Sequence, residues 1–369
     1  MNTVKIIFVG GFLGAGKTSL LWQSAQRLME QGKRVGLITN DQAPDLVDTN
    51  LLIRQGVQVE EVAGSCFCCN FGGLIRAAEM LHNDMNADIL IAEPVGSCTD
   101  VSATLLQPLK EHFRQHFTCS PFSVVVDPIR LREVLGGNAP SAMHPSAAYI
   151  FQKQLQEADW IVVNKVDLLT EDERLEVGEL LRQFYPASTV KMMSARTGEG
   201  VDSWLEDSLI DENSGSKVVE VDYDIYAEGE AVLGWLNAAI RLTGVHGQMI
   251  DHIAFCRDIM GAMQQRFEEK GAAIGHVKVL LGAEKGDVVC NLTHSGEGYS
   301  LHNNLEEPVH DACLIVNARV EMSPTELETI VRDSIDIAAG NKVDAEIREV
   351  TSMSPGRPNP THRYDRVVE

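Results

Sequence analysis

Two short motifs hold most of the chemistry that can be read from this chain. Gly11-Phe12-Leu13-Gly14-Ala15-Gly16-Lys17-Thr18 fits the pattern G-x-x-x-x-G-K-T. A loop of that composition lets several backbone N–H groups converge, and phosphate oxygens are the acceptors that suit them. Gly11, Gly14, Ala15, Gly16 and Ser19 would line such a cradle. Lys17 would reach the β- and γ-phosphates, and the Thr18 hydroxyl would bind Mg²⁺. Asn164-Lys165-Val166-Asp167 fits N-K-x-D. A carboxylate at Asp167 would accept hydrogen bonds from guanine N1 and its exocyclic amine, a donor pair that adenine lacks. Asn164 would order the loop, and the Lys165 stem would cover the base. Ser194-Ala195 would complete the base pocket with backbone N–H groups. The ligand expected is GTP or GDP with Mg²⁺.

A third group is Gly64-Ser65-Cys66-Phe67-Cys68-Cys69, which gathers three of the eight cysteines. Thiolates are soft ligands, suited to Zn²⁺, Cu⁺ or iron and able to take cobalt or nickel. Cys66 and Cys68 share a side in an extended segment, and Cys69 needs a turn to join them. The glycines at 64, 72 and 73 make that bending cheap. Three ligands leave a fourth position open, as a transfer site requires. A disulfide framework does not suit a long chain of this kind. Sequence alone does not place Cys98 or Cys119 against the cluster.

The elements that must position these residues follow from periodicity. Val4–Val9 reads as a buried strand before the glycine loop, and residues 19–29 are apolar at helical spacing. A second strand, Ala87–Ala92, ends in Glu93, placing a carboxylate beside the nucleotide crevice. Glu93 is therefore a candidate for the Mg²⁺ shell, through a water. Further strands precede Asn164 and Ser194. This alternation predicts an α/β fold, a doubly wound, mostly parallel P-loop sheet over residues 1–212.

The polar stretch Asp211–Ser216 suggests a boundary. Residues 217–350 then read as a smaller α+β domain, ferredoxin-like in pattern, with an irregular tail over 351–369. Its strand-like runs are Lys217–Tyr226, His276–Leu281, Asp287–Leu292, Ala312–Ala318 and Val343–Val350. Its helical runs are Ala231–Leu242, Asp251–Lys270 and Pro324–Ala339. Glu228-Gly229-Glu230 reads as the opening of the helix toward Trp235. His252 and Cys256 share a helix face, either as a core cysteine beside a partly exposed histidine or as a pair of ligands.

Together these residues resemble the CobW-like family of P-loop GTPases, whose relatives include the nickel-insertion GTPases of urease and hydrogenase maturation. The pieces that match are Gly11 to Thr18, Cys66 to Cys69, Glu93-Pro94-x-Gly96 and Asn164 to Asp167, all within about the first 200 residues. The resemblance implies slow GTP hydrolysis, with phosphoryl transfer to water, coupled to delivery of a transition metal (Zn, Co, Ni or Fe) or to maturation of a metalloenzyme. The implied partner is a client metalloenzyme or apo-cofactor protein, and a homodimer is left open. The chain departs from the family at Asn40-Asp41-Gln42-Ala43, where Asn-Glu-Phe-Gly is usual. Asp41 keeps the carboxylate one methylene shorter and is the candidate to position water. Ser65 also separates the glycine from the first cysteine, and no histidine-rich run is present. A second reading of the same features is a regulatory GTPase that gates a cofactor-dependent enzyme, for example a corrinoid one, without carrying metal.

Composition bounds these readings. The chain has 369 residues, 44% of them hydrophobic, enough for two cores. A net charge of −22 argues against nonspecific nucleic-acid or anionic-membrane binding. No run approaches the roughly 18 apolar residues of a membrane span. The first strand leaves no room for a signal peptide, and reduced thiols fit the cytoplasm expected from that.

Overall fold

The computed structural model describes residues 3–40, 47–54, 56–136, 143–294, 296 and 298–369. Asp41, Gln42 and Ala43, singled out above, lie outside the described residues. The chain divides into two compact units: Met1–Gln42, Leu52–Gly229 and Arg357–Glu369 form one, and Ala43–Leu51 with Glu230–Gly356 form the other.

The first unit is built on parallel strands. β1 (Val4–Gly10), β2 (Val35–Asn40), β3 (Gln58–Val62), β4 (Ile89–Glu93), β5 (Phe117–Cys119), β6 (Ser123–Val126), β7 (Trp160–Val163) and β8 (Thr189–Met192) form one sheet. Its order is β3-β2-β4-β1-β6-β7-β8, with β5 paired to β1. Every residue of β1 is buried, as expected of a strand covered on both faces. The covering helices are α1 (Lys17–Glu30), α3 (Phe71–Asn83), α4 (Gln107–His112), α5 (Pro128–Leu135), α6 (Pro145–Glu157), α7 (Glu171–Phe184) and α8 (Val201–Ile210), while α2 (Val47–Arg54) is divided between the two units. One core cluster joins Ile7 and Val9 of β1, Leu20 and Leu21 of α1, Ile91 of β4 and Trp204 of α8. Strand order reverses around β1, and the loops that leave β1, β4 and β7 share the C-terminal edge of the sheet. Ligands bind at that edge in open α/β sheets.

The polar stretch near 211–216 stays with this unit for a specific reason. Buried Asp159, just before β7, accepts hydrogen bonds from Gly215 N (2.7 Å) and Ser216 N (2.9 Å). The first unit runs on to Gly229, so the compact division falls beyond that stretch. Lys217–Tyr226 is not a strand. It is irregular until α9 (Tyr223–Ala231) begins. Glu228 and Glu230 accordingly sit near the C-terminal end of α9 and open no helix toward Trp235.

The second unit contains β9 (Gly234–Gly244), α10 (His252–Glu269), β10 (Ile274–Ala283), β11 (Gly286–Leu292), β12 (Ser300–Asn303), β13 (Asp311–Val320), α11 (Pro324–Ala339) and β14 (Val343–Met353). The sheet is antiparallel, ordered β12-β11-β10-β13-β9-β14. Leaving out the β11–β12 hairpin, the path is β-α-β-β-α-β, which is ferredoxin-like. The helix expected over Ala231–Leu242 is strand β9 instead. Its alternate residues Leu236, Ala238, Ile240 and Leu242 all enter the core with α10 and α11, a period of two that outweighs helical propensity. No helix among the described residues is long and apolar enough to cross a membrane.

Candidate functional site

The glycine loop turns from β1 into α1 through three left-handed glycines, Gly11, Gly14 and Gly16. Gly16 is the N-cap of α1 at φ 93°, and no side chain caps the helix. The first N–H groups of α1 are thus left without a side-chain partner, and no acidic residue lies in the first turn. That is the arrangement an anion at a helix N-terminus requires. A Cβ at residue 16 would collide with the Asn164 amide, so a glycine is needed there on two counts.

Lys17 and Thr18, both buried, face the end of β4. Lys17 Nζ lies 3.7 Å from Glu93 Oε1, and Thr18 Oγ1 donates to Glu93 Oε2 at 3.1 Å. A hydroxyl and a carboxylate this close are hard oxygen donors of the kind Mg²⁺ takes, and the donor set fits that ion. Ser19 is exposed at the start of α1.

Asn164 joins the two motifs directly. Its Nδ2 donates to Ala15 O at 2.8 Å, and its Oδ1 accepts from Ala195 N at 2.8 Å. The N-K-x-D loop is thereby fixed to the phosphate loop. Ser194 N donates to Glu199 O at 2.9 Å. These are the N–H groups expected to face the base. Both groups are already engaged inside the protein, where they brace the loop. Lys165 holds a left-handed backbone at φ 59°, and its Nζ lies 2.5 Å from buried Asp127 Oδ2. Asp127 also caps α5, accepting from Ile129 N at 2.8 Å.

Asp167 carries the strongest sign of a ligand in this pocket. Its Oδ1 is buried with no hydrogen-bond partner among the described residues. Its Oδ2 accepts from Arg196 Nε at 3.0 Å and from Arg196 Nη2. Burial alone would raise its pKa, but donors from Ser194 and Arg196 outweigh burial and hold it below the usual carboxylate value. The carboxylate is ionised at neutral pH, with one oxygen short of a donor. A guanine edge carries donors of the kind such an oxygen accepts. Arg196 was not foreseen, although it stands only two residues beyond Ser194.

The three cysteines do meet. Cys66 Sγ lies 2.7 Å from Cys68 Sγ and 3.3 Å from Cys69 Sγ, with 3.8 Å between the last two. All three sulfurs fall within 4.8 Å of one another. The turn that brings in Cys69 is made by Cys69 N and Asn70 N, which both donate to Cys66 O. Asn70 then caps α3 through Gly73 N. Crowding against Cys66 pushes the pKa of both the Cys68 and Cys69 thiols up. A bound cation would reverse that shift, because it favours the thiolate.

Three segments distant in sequence grip this loop. Asn40, the last residue of β2, donates to Val62 O (2.7 Å) and Ser65 O (2.8 Å) and accepts from Phe67 N (2.7 Å). The C-terminal tail returns to it: Thr361 N donates to Cys68 O at 2.8 Å, and Asn359 N donates to Cys69 Sγ at 3.2 Å. Arg363 anchors the tail on Asp100, a residue only 1% exposed, at 2.7 Å. Tyr223 donates to the same carboxylate oxygen at 2.8 Å. The third segment carries buried Cys98, whose thiol helps to raise the Cys68 pKa. Cys119 instead sits in β5, beside Ile6 of β1. The tail, expected only to run over the surface, is part of the cysteine site.

The second unit supplies no comparable cluster among the described residues. His252 is buried rather than partly exposed, and Cys256 hydrogen-bonds Cys290 in the core.

The doubly wound sheet, the uncapped phosphate loop and the N-K-x-D pocket define a P-loop GTP-binding protein. The family described as CobW/HypB/UreG, nucleotide-binding domain, matches residues 5–191, and the chain belongs to that family. Among curated proteins it is 25% identical over 181 residues to the zinc chaperone YjiA of Escherichia coli (strain K12), covering 47% of this chain and 53% of that protein. It is 28% identical over 186 residues to the zinc chaperone CobW of a Sinorhizobium species, covering 44% and 50%. The chain thus spans about half the length of the curated relatives it matches. Among solved structures, HypB from Helicobacter pylori in complex with nickel aligns at 17% identity and a TM-score of 0.42, covering 56% of this chain and 86% of that one. Zn(II)-bound YjiA GTPase from E. coli aligns at 15% identity and a TM-score of 0.35, covering 90% and 99%.

Proposed function

We propose that this protein hydrolyses GTP and uses its nucleotide state to change its hold on a soft or borderline metal ion, zinc first among candidates, for delivery to a client metalloenzyme or apo-cofactor protein. The observation that carries the reading is the convergence of three cysteine sulfurs on a loop held by Asn40. Asn40 ends β2, one residue before the chain segment that carries Asp41. A change at the end of β2 would therefore pull on the cysteine loop through two hydrogen bonds, to Ser65 and Phe67, and on the end of β3 through a third.

In this reading residues 1–212 supply the nucleotide chemistry, residues 217–350 choose the client, and the irregular part of the tail, through Asn359 and Thr361, covers the metal loop. Gly11, Gly14, Ala15, Gly16 and Ser19 present the phosphate-binding backbone, and Lys17 draws charge from the transferring phosphoryl group. Thr18 and Glu93 would hold Mg²⁺, Glu93 through a water, and that ion would supply charge neutralisation at the phosphates when bound. Asp167 reads guanine, Asn164 ties the base pocket to the phosphate loop, and the Lys165 stem flanks the base. Ser194 and Ala195 brace that pocket. Asp41 takes the water-positioning role. Zinc chaperone relatives, a reduced thiol cluster and a cytoplasmic setting are mutually consistent.

The test is a metal titration under anaerobic reducing conditions with GTP analogue, GDP or no nucleotide. Wild type is compared with the triple Cys66→Ser, Cys68→Ser, Cys69→Ser variant. Stoichiometric binding that needs the cysteines and changes with nucleotide is the expected result. Binding that ignores the nucleotide, or no binding, would instead favour a regulatory GTPase that carries no metal.

A further inference from the structure

We propose that Asn317 is a positioning residue for GTP hydrolysis: from β13 of the second unit it holds the start of α2, and through it the segment that carries Asp41. The inference rests on the reading of this chain as a GTPase in which Asp41 positions the attacking water.

The hydrogen bond is the first reason. Asn317 Oδ1 accepts from Val47 N at 2.6 Å, across 270 residues of sequence. Val47 is the first residue of α2. The opening N–H groups of a helix have no partner inside it, and a side-chain oxygen from the residue just before the helix usually meets one of them. Here an oxygen from a distant strand meets the N–H of Val47. Both residues are 1% exposed, so water does not compete for the bond. The Val47 side chain packs with Leu280 of β10, Val289 of β11 and Ile315 of β13. The start of α2 is therefore held by a polar and an apolar contact at once.

The strand is the second reason. Leu314, Val316, Ala318 and Val320 of β13 enter the core with α10 and α11, so Asn317 points to the opposite face of the sheet. It pairs with Asn237 of β9 and Lys278 of β10. Asparagine is disfavoured inside a strand, and burying its amide costs stability unless its hydrogen bonds are made. An apolar residue would serve the sheet better. What Asn317 supplies, and a leucine could not, is an acceptor for α2.

Connection is the third reason. Residues 41–46 separate Val47 from Asn40, which is itself tied to Val62, Ser65 and Phe67. Asp41 thus belongs to a short stretch of chain anchored at both ends. Anchoring removes conformations, so a working arrangement of Asp41 costs less entropy to reach. Releasing Val47 should slow the chemical step. Nucleotide affinity should persist, because the phosphate loop, Asn164 and Asp167 would hold the nucleotide without it.

Single-turnover GTP hydrolysis and equilibrium GDP titration on the full-length protein decide the matter, with urea unfolding to establish that each variant is folded. Asn317→Leu fills the space but offers no acceptor. Val47→Pro removes the donor instead, at a helix position where proline is tolerated. Each should slow hydrolysis about tenfold while GDP affinity stays within about twofold of wild type. Asn317→Asp, which keeps an oxygen for Val47 N, should restore most of the rate. Asp41→Ala combined with Asn317→Leu should be no slower than Asp41→Ala alone, since Asn317 acts through Asp41. Wild-type hydrolysis in either folded variant, Asn317→Leu or Val47→Pro, overturns the proposal. So does a loss of GDP affinity in step with the rate, or losses that multiply in the combined protein, because each marks general damage to the fold. A wild-type protein that hydrolyses no GTP, or an Asp41→Ala protein that hydrolyses it at the full rate, would overturn the parent reading as well.

Discussion

The nucleotide cradle and the cysteine loop are built by opposite strategies within one unit. The cradle is made of short contiguous motifs at the ends of parallel strands, tied together by Asn164 to Ala15 and Ala195 and by Glu93 to Lys17 and Thr18. The cysteine loop holds its three sulfurs close in sequence but owes its shape to Asn40, to the segment bearing Cys98 and to a tail some 290 residues away. A site of the first kind is stable by itself and changes little with its surroundings. A site of the second kind reports on whatever moves its clamps, which is what coupling between two ligands requires.

The largest effect should come from Lys17→Ala. Loss of its charge from the phosphate site should lower GTP hydrolysis about a hundredfold or more, with the stoichiometry of metal bound to the cysteine loop unchanged. A variant that loses both together would erase the distinction between the two sites. Asp167→Asn should follow, weakening GDP by about a hundredfold in equilibrium titration, because an amide cannot accept from both guanine donors. Unchanged affinity would show that the orphaned Asp167 oxygen does not meet the base.

The clamps are tested next. Arg363→Ala leaves Asp100 buried with only the Tyr223 hydroxyl on its Oδ2. Burial, the dominant influence, already raises the Asp100 pKa despite Tyr223 and Arg363. Arg363 is about a third exposed, so the loss should be about 2 kcal/mol in urea unfolding, accompanied by faster metal exchange at Cys69. Wild-type exchange in this variant would detach the tail from the metal site. Asn40→Ala removes two hydrogen bonds to the cysteine loop and one to Val62 at the end of β3, and should cost about 1–3 kcal/mol of stability. Its clearest signature is metal binding that no longer responds to the nucleotide while GTP affinity persists.

The smallest effect concerns pH. Glu157 is fully buried, and burial first, then the nearby Asp100 charge, raise its pKa from 4.5 to about 8. It is therefore neutral at pH 7, accepting from Thr99 Oγ1 at 3.1 Å and Ser102 N at 2.9 Å. The folded state binds the proton more tightly than the unfolded state. The resulting stability is complete below about 4.5 and is lost as pH rises toward about 8, at about 1.4 kcal/mol per pH unit. Glu157→Gln should remove that slope, so the stability difference between the two proteins should change across this window. A difference that is flat with pH would mean that Glu157 is ionised in the folded protein.

Local chemistry was legible before any coordinates. G-x-x-x-x-G-K-T, N-K-x-D, the carboxylate ending β4 and the cysteine triplet each combine residue type with fixed spacing, so the chemistry each can do is readable from the local sequence. The helices α10 and α11 were equally legible from apolar periodicity. Strand β9 was misread because its run of Trp235, Leu236, Ala238 and Ala239 also suits a helix, and only pairing with β13 and β14 settles which period is used.

For Ser194 and Ala195 the sequence indicated the loop but not the internal hydrogen bonds that their N–H groups make. Whether an N–H is open depends on what the fold sets opposite it, here Asn164 and Glu199. Arg196, Asn40, Cys98 and the tail residues Asn359, Thr361 and Arg363 acquire their roles only when distant strands and loops are brought together. The sequence by itself determined which ligands this protein can chemically recognise, because recognition depends on side-chain types at short spacing. Only the tertiary structure decided how the two sites are joined, because hydrogen bonds and sulfur contacts act over a few ångströms and are indifferent to separation along the chain.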